Sequence, residues 1–337
     1  MQERNYGVDL AKALAMFLVV LLHLCTEGGA LPSAGAGLCV GSYVKSLSWC
    51  CVDLFALVSG YLGVTGHPSF RKWGRLWLQV FVTGALVTAV CRFAFGEPVS
   101  GVRWSQLFLP VTASTYWYFT AYTGLYCLMP ALNLGLRALT RRQALGVSAG
   151  LLAVALSASV GARDIFGLYR GYSMAWLIVL YVLGGVMRLH VPRFPRVRWC
   201  LAAAFLLPAL TAAQQVLLAR FPSLADRLGN RALAGDYISP VVLLTAVALL
   251  MACLQVRVAS SRARAVIVFY SSTAFGVYLL HVHPMFFYGF LRNRFRSLGE
   301  FGDAHVWQWA LAIVLLAIAG HLLFALVEKA RKAVFRD

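Results

Sequence analysis

The stretch KALAMFLVVLLH, Lys12 to His23, sets ten consecutive apolar residues between a lysine and a histidine. On an α-helix, eleven residues advance about 16 Å and turn about 1100°, which leaves about 20° of offset. The two basic side chains therefore share one face at two depths of an apolar helix. Asp9, three residues before Lys12, lies near that face. The rest of the chain has the same character: 61% of its 337 residues are hydrophobic and 12% charged, with a mean hydropathy of +0.75. Soluble domains run at about 45–50% apolar and about 25% charged. The fold class is all-α, a polytopic integral membrane helical bundle. No charge-rich segment interrupts it, so residues 1–337 read as a single integral membrane domain.

Apolar segments long enough for the hydrocarbon core fall at 8–25, 44–64, 76–95, 116–136, 144–160, 173–188, 199–218, 239–256, 267–290 and 306–327, about ten transmembrane helices. The net charge is +18, from 30 Lys+Arg against 12 Asp+Glu. In a soluble protein that excess points to nucleic acid. Here the basic residues cluster in the short connections, where they set topology, so no nucleic-acid partner is expected. Eighteen lie on the side of the N-terminus and ten, including Arg92, Arg103, Arg163, Arg170, Arg220, Arg227, Arg231 and Arg292, on the other. With an even number of spans, both termini are cytoplasmic. The first apolar run has the length of a signal peptide, but Lys12 abuts it and the leader carries Glu3, so it reads as a retained helix.

Ionisable groups at membrane depth usually face an interior or a wet cavity. The candidates are Lys12, His23, Lys45, Asp53, His281, His283 and His321. Lys45 and His321 sit near span ends, where snorkelling accounts for them. Asp53, in CVDLFALVSGYLG, needs a donor or a cation. A histidine ring is one such partner, and a helix–helix strut is the other reading. Ser59-Gly60-Tyr61 is a small-residue contact that lets helices approach closely. His281 and His283, in FGVYLLHVHP, are two apart and face different ways, so one at most joins His23, and His281 is the preferred candidate. The eight cysteines show no metal spacing; Cys25 and Cys39 are the one pair placed to bridge in an outer loop. No zinc motif, phosphate loop, nucleophile elbow or dinucleotide fingerprint occurs, and no metal is expected.

Four segments together resemble acyltransferase family 3, the integral membrane O-acyltransferases. They are YGVDLAKALAMFLVVLLH (Tyr6–His23), CVDLFALVSGYLG (Cys51–Gly63), YWYFTAYTGLYCLMPALN (Tyr116–Asn133) and SSTAFGVYLLHVHP (Ser271–Pro284). The family's usual residue at the Lys12 position is arginine; lysine keeps the charge and loses the bidentate fork. The resemblance implies transfer of an acyl group, typically acetyl from acetyl-CoA, to a hydroxyl of an extracytoplasmic glycan or similar small acceptor at the cell membrane. Lys72 and Arg75 match the family's basic pair after the second helix and would hold the CoA phosphates; a topology signal is the other reading of that cluster. Lys12 would meet the donor along its length. His23 would be the general base, with Asp53 or His281 orienting it. A covalent acyl-histidine relay is the variant mechanism. Tyr116, Trp117 and Tyr118 would stack on the acceptor sugar, or form an interfacial aromatic belt. The chain ends soon after the tenth span, so a second transfer step implies an extracytoplasmic partner enzyme.

Two rival classes share the composition. A transporter or flippase for an organic acid or lipid-linked glycan uses intramembrane His and Asp as a proton relay, and a sensor binds a ligand without chemistry. Turnover of a CoA thioester separates the enzyme from both. For topology, a cysteine introduced beside Arg163 should be labelled by an impermeant maleimide added outside, and one beside Arg141 should not. The reverse pattern would invert the assignment.

Overall fold

The computed structural model describes residues 4–96, 104–160, 164–223 and 236–335. Arg103, Arg163, Arg227, Arg231 and Arg336, counted above for sidedness, lie outside them. Helix α1 is Tyr6–Cys25, α2 Gly35–Ser48, α3 Cys51–Gly63, α4 Phe70–Phe95, α5 Trp104–Phe108, α6 Trp117–Ala138 and α7 Arg141–Val160. They are followed by α8 Met174–His190, α9 Val197–Arg220, α10 Pro240–Leu254, α11 Ser261–His281, α12 Arg296–Ala304 and α13 Val306–Phe335. No strand occurs among the described residues.

The boundaries follow local chemistry. Asn5 caps α1 through the Gly7 amide, Ser69 caps α4, Ser173 caps α8 and Ser260 caps α11. Gly96, at φ 69°, closes α4 in the left-handed region that glycine enters without a Cβ penalty.

Every predicted span overlaps a helix, and among the described residues seven segments meet the length and apolarity needed to cross a membrane. They are Tyr6–Cys25, Gly35–Gly63, Phe70–Ala94, Arg141–Val160, Val197–Arg220, Ser261–His281 and Val306–Phe335. Met174–His190 and Pro240–Leu254 are apolar but shorter. Two predicted spans are interrupted in the fold. The segment predicted at 44–64 is two helices that turn at Trp49–Cys50, where Ser48 Oγ and Cys50 Sγ donate to the carbonyls of Val44 and Leu47. The one predicted at 267–290 begins at Ser261 and ends at His281, because Pro284 has no N–H with which to continue it.

Helices α1, α3, α8, α10 and α11 form the centre, with α3 and α8 the most extensively packed pair. Their approach is set by glycine. A Cβ on Gly60 would collide with the carbonyl oxygen of Tyr181, and one on Gly184 with that of Leu57. The small-residue reading of Ser59–Tyr61 therefore holds at Gly60. Around this centre, α7, α9 and α13 present leucines outward, among them Leu206, Leu311, Leu315 and Leu323. Such a surface suits lipid.

Polar struts lock the bundle at one end. Asp9 accepts from Arg4 at 2.7 Å and from the Ser271 hydroxyl at 2.8 Å. Lys332 donates to the carbonyl of the neighbouring Ser272 at 2.6 Å. The first and last helices thus bring both described termini to the same end. Nearby, the fully buried Glu328 accepts from Arg331 at 2.8 Å and from Gln79 of α4 at 2.9 Å. Arg331, Arg137 and Arg188, read above only as topology signals, hold Glu328, the Val64 carbonyl and the Tyr61 hydroxyl respectively.

His321 is a correction. It is buried against the ring of Tyr270 at 4.7 Å, one turn or more from either end of α13, so it does not snorkel. Cys25 is buried and Cys39 exposed, and no disulfide joins them.

Gly184→Ala should lower the melting temperature in detergent, with a loss of about 1–3 kcal/mol from overpacking. Gly74→Ala, where a Cβ meets nothing within 4 Å, should not. Equal stability of the two variants would show that the α3–α8 contact tolerates a methyl group.

Candidate active site

A cavity of about 210 Å³ runs between α1, α3, α4, α6 and α11. Met16, Val19 and His23 face it from α1, Val52, Phe55 and Ser59 from α3, and Leu76 from α4. Trp117, Tyr118, Phe119 and Tyr122 of α6 and Phe275 and Tyr278 of α11 complete most of the wall. Residues 16, 19 and 23 recur at helical spacing, and 12 continues the stripe one turn earlier. Lys12 therefore lies at the end of the cavity face, half-buried. It takes no salt-bridge partner among the described residues, since the nearby Asp9 is held by Arg4 and Ser271.

His23 and His281 meet directly. His23 Nδ1 lies 3.0 Å from His281 Nε2, and His281 Nδ1 lies 2.6 Å from the carbonyl oxygen of Val277. A carbonyl only accepts, so His281 Nδ1 carries a proton. In the neutral ring, His281 Nε2 is then a lone pair, and His23 Nδ1 must be the donor to it. That leaves Nε2 of His23 unprotonated, on a ring that lines the cavity. Phe287 packs edge-on to the His23 ring at 5.2 Å and fixes its tilt. His281 is the final residue of α11 and buried, so its ring is fixed by the helix that ends there.

His283 turns away, as its spacing requires. Its Nε2 lies 3.3 Å from the Thr88 hydroxyl, and its ring contacts Tyr116. Asp53 is the second correction. It is fully buried, but its Oδ1 accepts from the Trp176 indole at 2.9 Å, and no hydrogen bond joins it to His23. Its neighbour Val52 faces the cavity, and one residue along a helix turns about 100°. Asp53 therefore points at α8.

Lys72 and Arg75 are exposed in the first turns of α4, and Lys72 donates to the His67 carbonyl at 2.9 Å. Leu76, which lines the cavity, follows Arg75 directly and lies one turn after Lys72. The basic pair thus lies on α4 within one turn of a residue of the cavity wall. Tyr116, Trp117 and Tyr118 are not a surface belt. Tyr116 is buried against Tyr278 at 6.0 Å, while Trp117 and Tyr118 line the cavity. Trp117 also packs on Tyr172 at 4.7 Å and Tyr237 at 6.0 Å.

Residues that sequence reasoning missed are Ser59, Tyr122, Tyr278, Trp176 and Tyr237. Tyr278 had a signal, being three residues before His281 on the same helix face. Tyr237 and Trp176 had none, because only packing brings them here. No group of three or more His, Cys, Asp or Glu is arranged to hold a metal among the described residues.

This geometry is a helical membrane bundle with a hydrogen-bonded histidine pair beside an internal cavity. The family model of Acyl_transf_3, an acyltransferase domain, matches residues 5–327. The chain belongs to acyltransferase family 3 and is a membrane acyltransferase. No curated protein and no solved structure gives a match.

Nitrogen-15 NMR of histidine-labelled protein should show a protonated Nδ1 and an unprotonated Nε2 at His23. In His281→Phe that preference should disappear. The opposite tautomer in the unmodified protein would break the proposed chain of donors.

Proposed function

We propose that the protein moves an acyl group, acetyl as the first choice, from cytoplasmic acyl-CoA to a hydroxyl of an extracytoplasmic glycan or similar acceptor in the cell membrane. The observation that supports this reading is the hydrogen-bonded row His23–His281–Val277 carbonyl, with the His23 ring on the wall of the internal cavity. The end of the bundle holding both termini and the basic pair is assigned to the cytoplasm.

The size of the cavity is consistent with the arm of a thioester donor. At about 210 Å³ it admits a narrow arm but not a nucleotide. Lys72 and Arg75 would hold the phosphates outside it, and Lys12 would face the arm partway along. Bound acyl-CoA supplies an activated acyl carbon with a thiolate leaving group. His23 Nε2 takes the proton of the acceptor hydroxyl as that oxygen bonds to the acyl carbon. The carbon–sulfur bond then breaks, and His23 returns the proton to the thiolate. During the step the imidazolium of His23 donates through Nδ1 to His281, which the Val277 carbonyl holds in the accepting tautomer. His281 is in this reading the positioning residue, and Asp53 acts through Trp176 on the packing of α3 and α8. Trp117, with Tyr118 behind it, offers the acceptor sugar a ring to stack on, in the manner usual for aromatic–sugar contacts.

In single-turnover transfer from labelled acetyl-CoA, His23→Ala and His23→Gln should each lose about 10²–10⁴-fold in rate, with donor binding retained. Near-normal turnover in His23→Gln would make the residue structural. Neutralising Lys72 and Arg75 together should weaken CoA binding in correctly inserted protein; normal binding would leave the pair a topology signal. Lys12→Arg should remain active and Lys12→Met should not, and full turnover in the Met variant would remove Lys12 from the site.

A further inference from the structure

Trp117 and Tyr237 both line the cavity that the His23 ring faces, and their rings stack with centroids 6.0 Å apart. Tyr172 lies against both, 4.7 Å from Trp117 and 5.1 Å from Tyr237. Tyr237 is buried, whereas Tyr172 is 46% exposed. Three aromatic rings thus run from the cavity wall to the protein surface, just before α8 begins. The turn that presents Tyr172 is strained. Tyr169 and Arg170 have φ of 46° and 55°, the left-handed region that a residue with a Cβ enters at a cost. Gly171 follows at φ 99°, and a Cβ there would collide with Tyr237. The Asp164 carboxylate accepts from the amides of Leu168 and Tyr169. Arg170 Nε donates to Asp236, the residue before Tyr237, at 3.2 Å. These contacts over-determine the turn, and the turn seats Tyr172 on the two cavity rings. Strain held in this way concentrates at ligand sites.

We infer that Tyr172 is an outer acceptor subsite: with the reacting sugar on Trp117, the next sugar of a chain rests on the exposed face of Tyr172. The inference rests on the glycan reading and names a residue that selects two or more joined sugars over a single one. Size supports it. The cavity, at about 210 Å³, is smaller than the roughly 300–1,000 Å³ of pockets that enclose a drug-sized ligand. A chain of sugars therefore leaves all but its end outside. The step of 4.7 Å from Trp117 to Tyr172 is close to the step between neighbouring sugar rings, which one bridging oxygen sets. A sugar turns C–H groups toward an aromatic face, and the negative charge on that face attracts them. Beside it, the exposed Arg170 guanidinium has N–H groups beyond the one given to Asp236 and can donate to sugar hydroxyls. An anchor at the membrane interface needs exposure alone. Tyr169, 70% exposed in the same turn, has that and makes no ring contact with the cavity wall among the described residues. Of the two tyrosines, Tyr172 is the one joined to the cavity.

The test uses the purified full chain, labelled acetyl-CoA and the envelope glycan of the source cell. The glycan is stripped of esters by alkali, cut by mild acid and sorted into single sugars and short chains, so the acceptors differ in length and not in kind. The unmodified protein should prefer the chains in kcat/KM. Tyr172→Ala should reduce that ratio about 3- to 10-fold, the order expected of one aromatic contact, and Tyr172→Phe should keep it. Tyr169→Ala should leave it unchanged. Should Tyr172→Ala not fold, Tyr172→Leu carries the same expectation. Three results overturn the inference while leaving the glycan reading intact. The first is an unmodified protein that uses single sugars and chains equally. The second is a folded Tyr172 variant that loses activity toward both in the same proportion. The third is an equal fall in the ratio in Tyr169→Ala, which would make both tyrosines interfacial anchors. Transfer to no sugar fraction would overturn the glycan reading itself and the inference with it.

Discussion

The hydrogen bond between His23 and His281 joins two helices 258 residues apart in sequence and sets the chemistry of the channel. Its direction is dictated from below. The Val277 carbonyl accepts only, so in the neutral rings the proton positions propagate through His281 to His23 and leave its Nε2 unprotonated. A lone histidine on α1 would sample both tautomers. The second ring removes that freedom, and Phe287 removes the rotational one. Hydrogen-bonded positioning of this kind, built on helices and not on loops, keeps a base within reach of its substrate.

The rest of the bundle can be understood as polar groups satisfied away from the channel. Asp9 is held by Arg4 and Ser271, Asp53 by Trp176, Asn133 by Tyr181 and the Gly63 carbonyl, and Glu328 by Arg331 and Gln79. Each strut ties one helix to another or to a connection. Lipid offers no alternative partner, so such contacts hold the helices in register as well as together. Among these elements, His23 is the histidine whose ring lines the cavity.

Much of this was legible before any fold was built. The spacing of Lys12 and His23 put both on one face, and the stripe through Met16 and Val19 is the wall of the channel. Gly60 was readable as a close contact. The choice between His281 and His283 was readable only as far as helical geometry goes: the two diverge. Which of them meets His23 depends on how α11 packs on α1. Asp53 shows the same limit from the other side. Its burial was predictable from cost, but its partner is an indole more than a hundred residues away, and the single-residue turn that separates it from Val52 points it at α8.

By itself the sequence determined that the chain is a helical membrane protein, where its apolar segments lie, and which few ionisable groups had to face an interior. These are local properties of composition and period, readable because a lipid environment penalises every unpaired polar group. The tertiary structure alone decided the partners. It turned two predicted helices at Trp49–Cys50 and His281, buried His321 against Tyr270, moved Tyr116 and Tyr118 from a supposed surface belt to the interior, and gathered Ser59, Tyr118, Tyr122 and Tyr278 from three helices onto one wall. The physical reason is that a helix specifies which residues share a face, while the neighbour that face meets is set by packing between segments far apart in the chain.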